Sequence, residues 1–331
     1  MVYAKELTKV YSNSLVAVDH ITFEVRQGEI CGFLGPNGAG KTTTIRMLTT
    51  LTKPSSGQAT VGGFDVSKQP EKVREILGIV PQDLSVDDDL TGMQNLMLQS
   101  KLYHVPGIEA KSRAEELLAL VDLTQFASKD VVTYSGGMRK RLEIACGLIG
   151  RPKVLFLDEP TLGLDVQSRL NIWDHLKALN SDFGLTLFVT THYMEEADSL
   201  CDKIIIMDHG KIVASGSPED LKSALAETMF ELTVESDSGD TVALLKSHDS
   251  VLVVDRIDKT RYRAKISCSE EDLQPILREM EGRHIKIASL YPRRPGLDEV
   301  FLHYTGNSLR EDLSAEGTIQ KALKNVRRAK D

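Results

Sequence analysis

The 331 residues carry 40 Lys and Arg against 48 Asp and Glu, and at 41% hydrophobic and 27% charged the chain has the composition of a globular protein, which excludes a disordered or fibrous one. Its length allows roughly two domains of about 150 residues each. A net charge of −8 speaks against a global nucleic-acid binder and leaves partners to be read from local sites. Four cysteines, Cys31, Cys146, Cys201 and Cys268, lie far apart with no paired spacing, so neither a zinc site nor a disulfide framework is expected. The longest apolar runs, such as Ile204-Ile205-Ile206-Met207, fall far short of the roughly 20 residues that cross a bilayer. The first 30 residues are charged throughout, so neither a spanning segment nor a signal peptide is expected.

In chain order, a strand from Glu29 to Leu34 stops at a glycine-rich turn, and Thr43 to Leu51 is predicted as a helix with Ile45, Leu48 and Leu51 on one face. From Glu71 to Gly147 helical patterning dominates (Leu96, Leu117, Leu118, Leu120, Leu142, Ile144), which marks a helical subdomain, over about 83–150, inserted between strands. Val154–Leu157, Leu187–Val189 and Ile204–Met207 lack period-2 alternation, as strands covered on both faces of a mostly parallel sheet do. Residues 1–220 are therefore expected to form one α/β domain. After Ser217-Pro218 come a strand at Phe230–Val234, a helix near Leu244-Leu245, and strands at Val251–Val254 and Tyr262–Ile266. A helix from Glu270 to Met280 and a strand from Ile285 to Leu290 follow, giving the ferredoxin-like order βαββαβ over 225–306. Residues 307–331 form a charged tail with Ile319, Leu323 and Val326 at helical spacing, expected to be solvated.

Gly35-Pro36-Asn37-Gly38-Ala39-Gly40-Lys41-Thr42 matches GxxxxGK[ST] between the predicted strand and helix. Its glycines let backbone N–H groups close on anionic oxygens, and the helix N-terminus adds partial positive charge. Lys41 is expected to reach the β- and γ-phosphates, Thr42 to offer its hydroxyl to Mg²⁺, and Thr43 to complete the nucleotide-binding run. The strand Val154–Leu157 ends in Asp158-Glu159, where a P-loop NTPase carries the acid that holds Mg²⁺. Glu159, one residue on, is the candidate to orient and deprotonate the attacking water. Ser135-Gly136-Gly137 opens a second helix, Arg139 to Leu148, whose N-terminus also calls for an anion. One nucleotide is not easily gripped by two distant helix starts of one subunit, so this one is expected to face ATP on another copy.

With these residues the chain resembles the ATP-binding cassette (ABC) ATPases, whose signature reads Leu-Ser-Gly-Gly-Gln; here Tyr134 replaces Leu and Met138 replaces Gln. The resemblance covers roughly Val2 to Ser217. It implies that Tyr11 stacks on adenine, that Gln82 senses Mg²⁺ and the attacking water, and that Leu162-Gly163-Leu164-Asp165 is where two cassettes feel each other. It also implies that His192 contacts the γ-phosphate and Glu159. The segment from Pro295 to Gly306 is similar to the end of the ATPase subunits of daunorubicin-type drug-resistance exporters, and reads equally as an amphipathic helix capping the small domain. The implied protein hydrolyses ATP as a head-to-tail dimer on two Mg·ATP, on the cytoplasmic face of a membrane, and drives a separate permease, with no nucleic acid as partner. Two other readings compete. One is a soluble ABC ATPase of nucleic-acid repair or translation, whose relatives usually carry a coiled coil or two cassettes. The other is a P-loop kinase, which leaves Ser135-Gly136-Gly137 and His192 without a purpose.

Overall fold

The computed structural model describes residues 1–12, 14–225, 228–235, 241–266, 273–293 and 295–306. Cys268, the start of the helix expected from Glu270, and the tail 307–331 lie outside the described residues. The chain divides into two units, Met1–Pro218 and Glu219–Gly306.

The first unit begins with β1 (Val2–Val10), β2 (Val16–Val25), β3 (Ile30–Leu34), α1 (Lys41–Leu48), β4 (Ser56–Val61), β5 (Phe64–Asp65), α2 (Pro70–Ile76) and β6 (Leu77–Val80). Three helices follow, α3 (Gly92–Leu102), α4 (Gly107–Leu120) and α5 (Gly136–Leu148). The unit continues with β7 (Val154–Asp158), α6 (Val166–Phe183), β8 (Thr186–Thr191), α7 (Met194–Leu200), β9 (Lys203–Asp208) and β10 (Lys211–Gly216). Six strands form one sheet in the order β10-β9-β3-β8-β7-β6, parallel except for the β10–β9 pair. The apolar runs expected to be covered on both faces are so: every residue of β3, β7 and β8 is buried.

A second, antiparallel sheet, β2-β1-β4-β5, was not anticipated. Ile21, Phe23 and Val25 alternate with polar residues and face the core, which is a legible strand signal, but register shifts along β1 break the same pattern there. Both sheets share one core, in which Phe33 packs against Phe23 at 4.9 Å and Phe188 at 4.6 Å between ring centroids. Leu51 corrects the sequence reading. The helix ends at Leu48, Thr50 turns the chain at φ +64°, and Leu51 is 67% exposed instead of lying on the buried face.

The boundary falls at the first residue of α8 (Pro218–Ala224), and the second unit continues as β11 (Thr228–Val234), α9 (Thr241–Lys246), β12 (Val251–Arg256), β13 (Arg261–Ile266), α10 (Leu273–Gly282), β14 (Ile287–Arg293) and α11 (Leu297–Thr305). Its strand order β12-β13-β11-β14, all antiparallel, is the ferredoxin-like arrangement. The last strand starts at Ile287 instead of Ile285, because the Ile285 N–H is spent closing α10 on the Met280 carbonyl. Leu297, Val300 and Phe301 are buried along one face of α11, so the amphipathic reading of that segment holds.

Candidate active site

Three strands of the parallel sheet end side by side: β3 runs into the phosphate loop, β7 ends in Asp158, and β8 ends in Thr190-Thr191. Open α/β sheets bind ligands at this carboxyl edge. The loop from Gly35 to Gly40 is held by its ends, the Gly35 N–H donating to the Thr191 carbonyl (3.3 Å) and the Gly210 N–H to the Ala39 carbonyl (3.1 Å). A Cβ at Gly35 would collide with the Met207 carbonyl oxygen, and Gly40, at φ +106°, caps α1 in a conformation side chains resist. Asn37 and Gly38 are exposed, Pro36 and Thr43 are half-buried, and Ala39 is buried.

Lys41 folds over this loop. Its Nζ donates to the carbonyls of Gly35 (2.6 Å) and Pro36 (3.2 Å) and lies 3.1 Å from Glu159 Oε1, with both side chains 5% exposed. On the other side of the same carboxylate, His192 Nδ1 donates to Oε2 at 2.7 Å. Glu159 has φ +50°, and its N–H is held by both the carbonyl (3.1 Å) and the hydroxyl (3.0 Å) of Thr190. A left-handed glutamate pinned in this way is local strain maintained by its surroundings, as functional residues often carry. Burial acts to raise the Glu159 carboxyl, but the His192 hydrogen bond and the Lys41 charge outweigh it and hold the group below its usual range. It is therefore an ionised, aimed base.

Asp158 Oδ1 accepts from Thr42 Oγ1 at 3.2 Å and from Thr190 Oγ1 at 2.5 Å. A hydroxyl and a carboxylate side by side are hard oxygen donors that suit Mg²⁺, so the chemistry of Thr42 and Asp158 fits the expected ion. Gln82 does not join them. It is exposed just past β6 and, among the described residues, makes no hydrogen bond to Thr42, Asp158 or Glu159. Ser85 donates its N–H and hydroxyl to Glu143, and Lys140 Nζ donates to the Pro81 carbonyl (3.2 Å), so α5 holds both ends of this stretch. Tyr11 is half-buried in the turn after β1, its ring under Lys9 Nζ at 5.3 Å.

Ser135 caps α5, its hydroxyl accepting the Met138 N–H at 3.2 Å. Tyr134, where the signature departs from Leu, is buried and donates its hydroxyl to the Phe126 carbonyl at 2.7 Å. Ser135 and Gly136 are exposed, and among the described residues Ser135 makes no hydrogen bond to Lys41, Asp158, Glu159 or His192. They adjoin the segment from Leu162 to Asp165 instead: a Cβ at Gly136 would meet Leu164 at 3.2 Å, and one at Gly137 would meet the Ser168 hydroxyl at 2.8 Å. Asp165, exposed, caps α6 by accepting from the Ser168 N–H (2.9 Å) and hydroxyl (2.7 Å), bonds that hold its carboxyl below the usual range.

Sequence reasoning missed Thr190, whose only signal was its place beside Thr191 at a strand end. It missed Glu196 as well. This residue of α7 is fully buried and accepts from Thr161 Oγ1 and Trp173 Nε1, both at 2.9 Å. Burial raises its carboxyl, more than hydrogen bonds from Thr191, Trp173 and Thr161 lower it, and the nearby Glu159 charge adds to the rise. Since the folded value lies above the ordinary 4.5, folding favours the protonated form, and wild type loses relative stability as pH rises from 4.5 through the raised value. Glu196→Gln keeps the acceptor and cannot ionise. Its melting temperature should match wild type in acid and move above it towards neutrality, which thermal melts across that range will measure; a gap that closes with rising pH would contradict the assignment.

A phosphate loop at the end of one strand and paired carboxylates at the end of another define a P-loop ATPase of the cassette type. The chain belongs to the ABC transporter family, as an ATP-hydrolysing subunit of its drug-resistance exporter group. The family profile "ABC transporter" matches residues 18–162, and "ATP-binding protein DrrA1-3-like, C-terminal domain" matches 216–305. The chain is 43% identical over 296 residues to the doxorubicin resistance ATP-binding protein DrrA of Mycobacterium tuberculosis, covering 88% of this chain and 89% of that protein. It is 40% identical over 316 residues to the linearmycin resistance ATP-binding protein LnrL of Bacillus subtilis, covering 94% of this chain and all of the relative. Among solved structures, the ATP-binding cassette MJ0796, a dimer in a post-hydrolysis state bound to ADP and Pi, aligns with a TM-score of 0.60 at 28% identity. That alignment covers 66% of this chain and 98% of MJ0796. Among the described residues no helix is long and apolar enough to cross a membrane.

Proposed function

We propose that two copies of this chain close head to tail on two molecules of Mg·ATP at the inner face of the cell membrane. Closure and reopening drive export of drug-like hydrophobic compounds through a separate membrane-spanning partner. The observation that carries this reading is the division of the site: Lys41, Asp158, Glu159 and His192 converge on one nucleotide edge, whereas Ser135, a helix cap suited to phosphate, is exposed and its hydroxyl is bonded within its own helix start. The names of the relatives, which confer resistance to doxorubicin and to linearmycin, support the class of cargo.

In this mechanism the loop amides and Lys41 bind the β- and γ-phosphates, and Thr42 and Asp158 would hold Mg²⁺, which would neutralise charge on the phosphate oxygens. Glu159 orients the attacking water and takes its proton. His192, donating to Oε2, keeps the carboxylate aimed. Ser135, Gly136 and Gly137 of the second copy complete the grip on the γ-phosphate, Tyr11 stacks on adenine, and Gln82 would add an amide oxygen as a further donor for the ion.

Mixing tests the shared site. Lys41→Ala and Ser135→Arg chains should each be nearly inactive, since either change spoils both sites of a homodimer. A mixed dimer keeps one intact site. With random pairing an equimolar mixture should regain up to about a quarter of wild-type phosphate release. No recovery in a mixture that still dimerises would rule out a site built from two chains.

A further inference from the structure

Thr161 lies two residues after Glu159 and directly before the segment from Leu162 to Asp165, which packs beside Gly136. Trp173, the only tryptophan of the chain, sits on α6, the helix that Asp165 caps. Glu196 sits on α7, four residues after His192. One atom joins the three: Glu196 Oε1 accepts the Thr161 hydroxyl and the Trp173 indole N–H, each at 2.9 Å. All three side chains are buried, and among the described residues Glu196 has no ion pair. A leucine would fill this space without the cost of burying a carboxyl, so packing alone does not account for the residue.

We infer that Glu196 is a positioning residue of the ATPase: it fixes the segment that faces the second copy to α7, the helix that begins two residues after His192, and so couples dimer closure to the aim of the Glu159 carboxylate. Displacing Thr161 shifts the chain at Glu159-Pro160 from one side, and displacing α7 shifts His192 from the other. Both movements act on the same 2.7 Å contact. The Trp173 indole, bonded to the shared oxygen, is a built-in reporter of this junction.

The inference rests on the proposed two-chain site, and the experiment separates the two. Full-length wild type, Glu196→Ala, Glu196→Gln and Thr161→Val are compared in steady-state ATP hydrolysis, with melting temperatures to establish folding. Trp173 emission is recorded with Mg²⁺ and a non-hydrolysable ATP analogue. In Glu196→Ala and Thr161→Val, kcat should fall by about 10- to 100-fold, the scale of a small misplacement of a reacting group, while KM for ATP stays within about twofold. Glu196→Gln, whose amide oxygen accepts the same two bonds, should recover most of that loss. Wild-type emission should change when the analogue closes the dimer, and Thr161→Val should abolish the change. Wild-type kcat in folded Thr161→Val or Glu196→Ala, or an emission indifferent to the analogue in wild type, overturns the inference. Failure of the mixing experiment overturns the two-chain site instead, whatever the Glu196 variants do.

Discussion

Glu159→Gln should bind Mg·ATP at least as tightly as wild type, accumulate as a nucleotide-bound dimer, and lose hydrolysis by about 10²–10⁴-fold, the usual contribution of a positioned base. The direction of the binding effect comes from Lys41. Its ammonium is 5% exposed and 3.1 Å from Glu159 Oε1, so the carboxylate is its principal countercharge. Glutamine removes that charge and keeps an oxygen in place, leaving a buried cation whose best remaining partner is a phosphate. With the amide oxygen kept towards Lys41, the amide N–H₂ faces His192 Nδ1, which accepts from it in its other tautomer, so the local geometry survives while proton acceptance does not. Single-turnover phosphate release measures the chemical loss, and size-exclusion chromatography with Mg·ATP measures the trapped dimer. Near-wild-type hydrolysis would remove Glu159 from the activation of water.

Asp158→Asn should be as damaging to turnover and almost silent in stability. Oδ1 of Asp158 accepts from Thr42 and Thr190, and the asparagine oxygen can accept both hydroxyls, so neither is left unpaired and the melting temperature should barely move. What disappears is the negative charge beside the Thr42 hydroxyl. A divalent cation then binds weakly, and the several kcal/mol of charge stabilisation it supplies in phosphoryl transfer are lost, on the order of 10²–10³-fold in rate. A steeper Mg²⁺ requirement for the residual activity would accompany the loss. Asp158→Ala makes the contrast: it leaves both hydroxyls without their acceptor and should lower stability as well as rate. If Asp158→Asn hydrolysed ATP normally, Asp158 would be a structural acceptor for two threonines and no more.

Much of the catalytic apparatus was legible because it is local. Gly35 to Thr42 is one contiguous run whose role follows from backbone conformation and a helix start, and Asp158-Glu159 follows directly from an apolar strand. His192 was legible only through the order of neighbouring motifs, since a lone histidine after two threonines says little. Gln82 was legible only by resemblance, and the structure shows its neighbours Pro81 and Ser85 bonded to α5. Leu51 was assigned to a helix face because periodicity carries no stop signal, whereas the backbone turns at Thr50. The antiparallel sheet was overlooked because the irregular register of β1 hides its alternation.

From sequence alone came the kinds of chemistry available: a phosphate cradle, a cation, two carboxylates, a second helix start and a small ferredoxin-like unit, each written in neighbouring residues or in a repeating period. Which groups meet was decided by tertiary structure. Asp158 finds Thr190 because β7 and β8 pair in that register, and Thr161, Trp173 and Glu196 share one oxygen across 35 residues of chain. Spacing specifies bonds within a turn or a helix, but contacts between distant segments depend on how whole strands and helices align, and that alignment is set by packing of the core.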